Sequence, residues 1–472
     1  MAAKRARLQS RIELENFKGK DTLGVDMIST LPDHIIYHIL SFVSTLDVIR
    51  MSLLSRHWRN MWCSIPVLNF CDSSDIGMNF DRLKFYKFVI HCLDQRRIDM
   101  LKNTNMAMTR FKLDLKCYYP LSTGTIDFLL GSACCFSKLK ELDLCIRSKG
   151  NRKLYYLHPG IFSNSPLTSV KLCGIMLDGQ NSAPICVPSL IYLSLESVGL
   201  DDRILHNILT RCCSLEKLVF KECTKLLNPR VSNMSLKYLE IVQGSCEVTF
   251  QVEAMNLQSL VYDGGPNYCD LNLSSCGALR HLSLSNMRLK DQWLEGLTFE
   301  VPLLESLSLC DCRFSHIKIL SEHLKHFVFR GNKFCHALEA IIHTPNLVFF
   351  SFDGDLSFIF SMIAPNILQS NIKLQNPATH DTQWYFSLLD FLINLDFSKS
   401  VCLHVYSEED LIFPRSFKRI CRTPLPSLKH LKVKIDCPLS RDSDLRDALL
   451  WVSPSLETLS IEQNPGMVVE LD

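Results

Sequence analysis

The chain is 472 residues long and carries 51 Lys and Arg against 49 Asp and Glu, a net charge of +2. That balance excludes an overall field able to gather nucleic acid or an anionic membrane, and the length suits a small domain joined to an extended array better than one compact core. The 21 cysteines are odd in number and follow no compact framework; with no secretory leader evident, they are expected to be reduced thiols in the cytosol or nucleus.

In chain order, residues 1–24 are polar and basic and are expected to be a disordered tail, within which Lys4-Arg5-Ala6-Arg7 would at most assist nuclear import. Residues 25–70 form a helical module. Leu31-Pro32-Asp33 opens a helix, proline suiting the first turn and aspartate its positive end. Ile35, Ile36, Ile39, Leu40 and Val43 then form an apolar stripe. After a break at Ser44-Thr45 comes a second helical pattern with Val48, Ile49, Leu53 and Leu54. A third carries Trp58, Met61 and Trp62, and Ile65-Pro66-Val67-Leu68 ends it. So short a module cannot enclose this many apolar side chains unaided, which implies a partner surface.

Residues 71–107 read as a linker and a capping helix, marked by Leu83, Tyr86, Ile90 and Leu93 and ending near Arg96-Arg97. The helix, or the module before it, would cover the open edge of the strands that follow.

From residue 108 to the end, one short pattern recurs: leucine-x-x-leucine-x-leucine, with conservative replacements. Ten copies begin at Leu139, Leu167, Leu190, Leu215, Leu236, Leu257, Leu279, Leu304, Leu324 and Leu347, with an earlier copy at Met108 and later ones at Leu428 and Leu456. A period of 20 to 28 residues is the signature of a leucine-rich-repeat solenoid. The fold class is therefore α/β, a short helical module followed by a curved parallel sheet on a concave face with helices and turns on the convex face. Between strands, Asp201 or Asp202 starts a helix with Ile204, Leu205, Ile208 and Leu209 at helical spacing, and Asp444 introduces another with Leu445, Ala448, Leu449 and Val452. From about 364 to 400 the repeat phase is lost, and a helix or an irregular insertion is expected there. Cys223, Cys312 and Asn332 fall three residues after Phe220, Leu309 and Phe329, where the repeat asks for asparagine or cysteine to satisfy turn backbone. Cys310-x-Cys312 has no second pair at a regular spacing, so no metal is expected.

Taken together, Leu31-Pro32-Asp33-His34-Ile35-Ile36, Ile39-Leu40-Ser41-Phe42 and Leu53-Leu54-Ser55-Arg56-x-Trp58-Arg59-x-x-Trp62 resemble an F-box of the plant type. Joined to the repeats, the chain resembles a plant F-box/leucine-rich-repeat protein. Leu46 stands where relatives often carry lysine, and the complete FBD segment of some relatives is not expected. The resemblance implies a non-catalytic adaptor: the F-box would dock on a Skp-family adaptor in a cullin–RING ubiquitin ligase, and the repeats would hold a protein substrate. Carried over by position, the adaptor-facing residues are Leu31, Pro32, Ile36, Leu53 and Trp58, whereas Ile39, Leu40 and Trp62 are expected to hold the helices together.

The outward strand positions define the surface left for a substrate. Tyr192, Tyr238, His281, His326 and Phe349 are its best anchors by residue type. Mixed charges, aromatics and serines there favour a protein or peptide over a polyanion, so no nucleic acid and no membrane are expected as partners. No nucleophile elbow, phosphate loop or paired zinc motif occurs, and no cofactor is expected. Two alternatives remain: a repeat scaffold whose F-box no longer engages a ligase, and a small-molecule-gated receptor.

Overall fold

The structure is a computed structural model. It describes residues 31–72, 82–102, 108–119, 122–148, 153–162, 166–177, 185–243, 248–265, 271–331, 339–356, 359–377, 379–440 and 443–463. The expected tail and Asn332 lie outside them. The chain divides into two units, residues 1–116 with 124–144, and residues 117–123 with 145–472.

In the first unit, three short helices follow from local capping. Helix α1 (Asp33–Leu40) starts behind Pro32, whose φ of −55° is already helical, with Asp33 in its first turn. Helices α2 (Thr45–Met51) and α3 (Arg56–Ser64) are capped by the side chains of Ser44 and Ser55, which accept the N–H groups of Asp47 and Trp58. The second pattern stops earlier than expected: α2 ends at Met51, and Leu53 and Leu54 lie in the turn before α3. Extended Ile65 before Pro66 ends α3. Ile36, Leu40, Val48, Trp58, Met61 and Ile65 form the core of the three helices.

A strand missed in the sequence follows at once. Val67–Cys71 pairs in parallel with Arg110–Tyr118, setting Leu68 beside Phe111 and Phe70 beside Leu113. The helix between them, α4 (Arg82–Lys102), runs about one turn past the expected end. It packs Phe88 edge-on to Phe70 at 5.9 Å, and its Arg96 guanidinium lies 4.7 Å from the Trp62 ring centre. The Thr45 hydroxyl accepts the Asn69 N–H at 2.6 Å, so α2 satisfies a donor on the edge strand that would otherwise be open. Helices and first strands of this unit thus share hydrogen bonds and packing.

In the second unit, strands from Ser169–Cys173 to Thr458–Gln463 form a parallel sheet in sequence order. Alternation explains it: one row of each strand is apolar and buried, and only stacking can bury it. Leu193, Leu218, Leu239, Leu260, Leu282 and Leu307 are successive neighbours in one such row. All are buried, each stabilising the stack by roughly 1.5–3 kcal/mol. Phenylalanine then takes over. Phe327 stacks on Phe350 at 6.0 Å and Phe329 on Phe352 at 5.8 Å, with Phe360 and Phe391 closing the cluster from the other layer.

That other layer is only partly helical. The expected helices appear as Asp202–Arg211, with Asp201 accepting the Ile204 N–H, and as Leu445–Val452. Elsewhere short parallel strands replace them, Arg230–Ser232 with Gln251–Glu253, and His316–Leu320 with Glu339–His343 and Ile359–Ile363.

The stretch expected to lose the repeat phase keeps it. Gln369–Leu374 is a strand paired in parallel between Phe349–Gly354 and Ser400–Val405, and Thr382–Ile393 is the helix of an ordinary repeat. The frame is hidden because its middle leucine is Ser370, buried completely and hydrogen-bonded at 2.7 Å to the buried Ser398. A closed hydroxyl pair fills the place of a hydrocarbon.

Turns are held by side chains of two kinds. Residues just past a strand adopt the left-handed region at Ser197, Glu222, Asn286 and Asp311, as Gly174 does. The following Cys223 and Cys312 thiols donate to the carbonyls of Leu195 and Leu284, at 3.4 and 3.5 Å, which is the turn role expected of them. Before the strands, Asn256, Asn346 and Asn366 each donate to a carbonyl of the preceding repeat, on Met234, Glu322 and Pro345.

Candidate interaction surfaces

Two surfaces stand out, one in each unit. In the first unit the helical period splits the apolar stripe of α1. Ile36 and Leu40, four residues apart, point into the core, while Ile35 and Ile39 point out with Leu31 and Phe42. Leu46, Leu53 and Leu54 are exposed as well, Leu53 by 76%, Leu54 by 73% and Phe42 by 77%. So many large apolar side chains left on a module this small are an incomplete core. The polar ties at its margin are local: Arg50 meets Asp47 at 2.9 Å, and hydrogen bonds from Ser44 and then Arg50 hold the Asp47 carboxyl below its usual range.

The structure therefore divides the sequence-derived residues. Leu31, Pro32 and Leu53 are exposed. Ile36, at 0%, and Trp58, at 6%, are interior, so the expectation that they face a partner is corrected: they shape the module from within. Ile39 is corrected in the opposite direction, since it is exposed rather than holding the helices together. Ile35, Phe42, Leu46 and Leu54 are exposed as well, although the resemblance does not place them among the adaptor-facing residues. A wheel that set Ile36 and Leu40 inward would have put Ile35 and Ile39 on the free side.

In the second unit, Tyr192, Tyr238, His281, His326 and Phe349 fall on one row of the sheet. The register runs Tyr192, Lys217, Tyr238, Ser259, His281, Ser306, His326, Phe349, each beside the next. Seven strand intervals of about 4.8 Å place Tyr192 roughly 34 Å from Phe349 along the sheet. The row is not uniform. At its first end, the Lys217 ammonium sits 5.5 Å from the Tyr192 ring and 4.3 Å from that of Tyr238. The Tyr238 hydroxyl donates to Glu240, which also meets Lys221 at 2.9 Å. Burial and that hydrogen bond push the Tyr238 phenol up to about 12. These side chains already satisfy one another and present a rigid surface. The middle of the sheet, with Ser259, Val261, Ser283, Ser306, Ser308 and Val328, is made of small uncharged side chains, with His281 between Ser259 and Ser306 and His326 beyond Ser306. His326 and Phe349 rings pack at 6.2 Å at the far side. Such a floor suits an extended peptide or a protein loop, because little must be displaced for backbone to approach.

Inside the phenylalanine section an apolar cavity of about 10 Å³ is lined by Ile317, Phe327, Ala340 and Phe350 among others; ligand pockets occupy roughly 300–1,000 Å³. Among the described residues no cluster of three or more His, Cys, Asp or Glu is placed to hold a metal, and no helix is long and apolar enough to cross a membrane.

Comparison with known proteins matches two stretches of the chain to family models. Residues 28–70 match the F-box domain, and residues 132–271 match the leucine-rich repeats of FBD-associated F-box protein At5g56370. Among relatives from Arabidopsis thaliana, F-box protein At1g60400 is 31% identical over 202 residues, 41% of this chain and 46% of that one. F-box/FBD/LRR-repeat protein At4g26340 is 27% identical over 266 residues, 56% of this chain and 55% of that one. F-box/LRR-repeat protein 13 is 31% identical over 225 residues, 46% of each chain. The chain spans about half the length of the curated relatives it matches. With a match to the F-box domain at its front and to leucine-rich repeats behind, the chain is similar to plant F-box/leucine-rich-repeat proteins.

Proposed function

We propose that the chain is the substrate-recognition subunit of a Skp–cullin–F-box ubiquitin ligase, a non-catalytic adaptor acting in the cytosol or nucleus. The F-box docks on a Skp-family adaptor and through it on a cullin–RING ligase, and the repeats hold a protein substrate. One observation carries the reading: the exposed apolar face of Leu31, Ile35, Ile39, Phe42, Leu46, Leu53 and Leu54. F-box domains generally bind such adaptors, and each of these side chains buried on docking contributes up to about 1.5–3 kcal/mol. Within the face, Leu31, Pro32 and Leu53 make the contact, and Ile36 and Trp58 hold its shape. On the repeats, Tyr192, Tyr238, His281, His326 and Phe349 are the substrate anchors.

The test is co-purification of the full chain with a Skp-type adaptor. Wild type is expected to bring the adaptor down, and Leu53→Asp or Phe42→Asp to lose it while keeping the wild-type dichroism spectrum. Tyr238→Ala, far from the face in sequence, is expected to retain the adaptor. Failure of the folded wild type to bind, or retention by both aspartate variants, overturns the reading.

A further inference from the structure

A pair of thiols at the start of the repeats is unused by the function above. Cys145 lies in the strand Glu141–Ser148 and Cys173 ends the strand Ser169–Cys173. Both occupy the third outward position of their strands, after Glu141 and Asp143 in one and Ser169 and Lys171 in the other. Both are nonetheless buried, at 7% and 9% exposure. The two strand ends run in close contact: a Cβ on Gly174, the residue after Cys173, would lie 2.6 Å from the Ile146 carbonyl oxygen.

Arg147, two residues beyond Cys145, reaches sideways over this point. Its guanidinium meets the carboxylate of Glu196 at 3.6 Å, and Glu196 stands directly beside Cys173 on the following strand. The guanidinium is therefore held across Cys173 by a partner on the far side.

Parallel neighbours separated by about 4.8 Å fall inside the Cα range of roughly 4.4–6.8 Å that a disulfide spans. Cys173 differs from several of the other described cysteines. A hydrogen bond from the Cys145 thiol, opposed by burial and aided by Arg147, holds the Cys173 thiol below its ordinary value. Burial instead pushes Cys92 and Cys134 up to about 12 and raises Cys71, Cys212 and Cys276. The thiol whose surroundings favour its nucleophilic form has a second thiol beside it.

We propose that Cys145 and Cys173 are a redox-modifiable dithiol, converted reversibly to a cross-strand disulfide by a low-molecular-weight disulfide of the glutathione class. The Cys173 thiolate attacks one sulfur of the oxidant, breaking its S–S bond and releasing one thiol. The Cys145 sulfur then attacks the Cys173 sulfur of the mixed disulfide and displaces the second. The two protein thiols lose two electrons and two protons, and the oxidant gains both as two free thiols. The product staples two neighbouring repeats and removes the thiolate from beneath Arg147.

The test equilibrates the reduced full chain with oxidised glutathione, blocks remaining thiols with N-ethylmaleimide and maps the peptides. A cross-linked peptide joining Cys145 to Cys173 is expected before any other pair, with the folded chain's dichroism unchanged. Cys145→Ser is expected to leave Cys173 carrying one glutathione, and Cys173→Ser to leave Cys145 as a free thiol. Independently of these variants, Cys173 of the native protein should be alkylated at least about tenfold faster than Cys212 at neutral pH, and Arg147→Gln should narrow that ratio. No cross-link between the pair in the folded chain, or a Cys173 as slow as Cys212, overturns the proposal.

Discussion

The buried hydroxyl pair Ser370–Ser398 makes a prediction that turns on whether one partner or both are removed. Ser370 is 0% and Ser398 2% exposed, and their hydroxyls are 2.7 Å apart. Ser370→Ala deletes one hydroxyl and leaves the other where water does not reach. The cost is that of an orphaned buried polar group, about 1–3 kcal/mol, rather than the roughly 1 kcal/mol net worth of a hydrogen bond. Ser398→Ala should cost the same. Removing both leaves nothing unsatisfied, so the double variant should be no worse than either single one. The cycle then gives a coupling of about 1–3 kcal/mol between neighbours in contact. Urea denaturation, with the linear slope checked for each variant, reads these values. Single variants within about 0.5 kcal/mol of wild type, or a double variant equal to their sum, would refute the view that this pair replaces the missing leucine.

Three further outcomes follow from the same structure. Phe350→Ala, in a fully buried ring stacked on Phe327 and Phe360, should destabilise the repeats by about 3–5 kcal/mol in the same denaturation assay. Asn233→Ala removes donations to the carbonyls of Leu209 and Cys212 and should cost about 1–3 kcal/mol, with amide exchange accelerating at the turn before Leu236. Glu240 tests pH dependence: burial raises its carboxyl, but hydrogen bonds from Lys221 and Tyr238 outweigh this and hold it below the ordinary value. Its contribution is present above the unfolded carboxylate pKa and lost as pH falls through the folded one, so the urea midpoint gap between wild type and Glu240→Gln should shrink from pH ~6 to ~3. A gap independent of pH would contradict this assignment.

Much of this fold was legible because leucine spacing and strand alternation are consequences of the same stacking. Every segment from Met108 onward that carries the pattern is a strand. What escaped reading was wherever other chemistry fills a leucine's role. Ser370 hides a strand by answering with a hydrogen bond, and Val67–Cys71 belongs to the sheet without a repeat frame because α4 intervenes before its neighbour. The short strands that replace helices in the second layer carry only three to five residues, too few for periodicity to separate them from turns. The turn asparagines Asn256, Asn346 and Asn366 act before the strands, whereas the pattern draws attention to the position after them.

The F-box surface was legible in composition and not in direction. Ile35, Ile36, Ile39 and Leu40 read as one stripe, and a stripe that wide serves an internal core and an external partner at once. Only the packing of Ile36 and Leu40 into one cluster with Val48, Trp58 and Met61 decides that Ile36 and Trp58 turn inward while Ile39 and Phe42 remain outside. On the repeats the outward rows followed directly from alternation. The clasp of Lys217 between Tyr192 and Tyr238 did not, since it depends on which strands become neighbours.

Hydrogen exchange on the full chain, with and without a purified Skp-type adaptor, tests the division of labour most directly. The account predicts slowed exchange across residues 31–42 and 52–58, with the amides of the row from Tyr192 to Phe349 unchanged. Protection of that row by the adaptor, with the helical face exchanging as before, would contradict it.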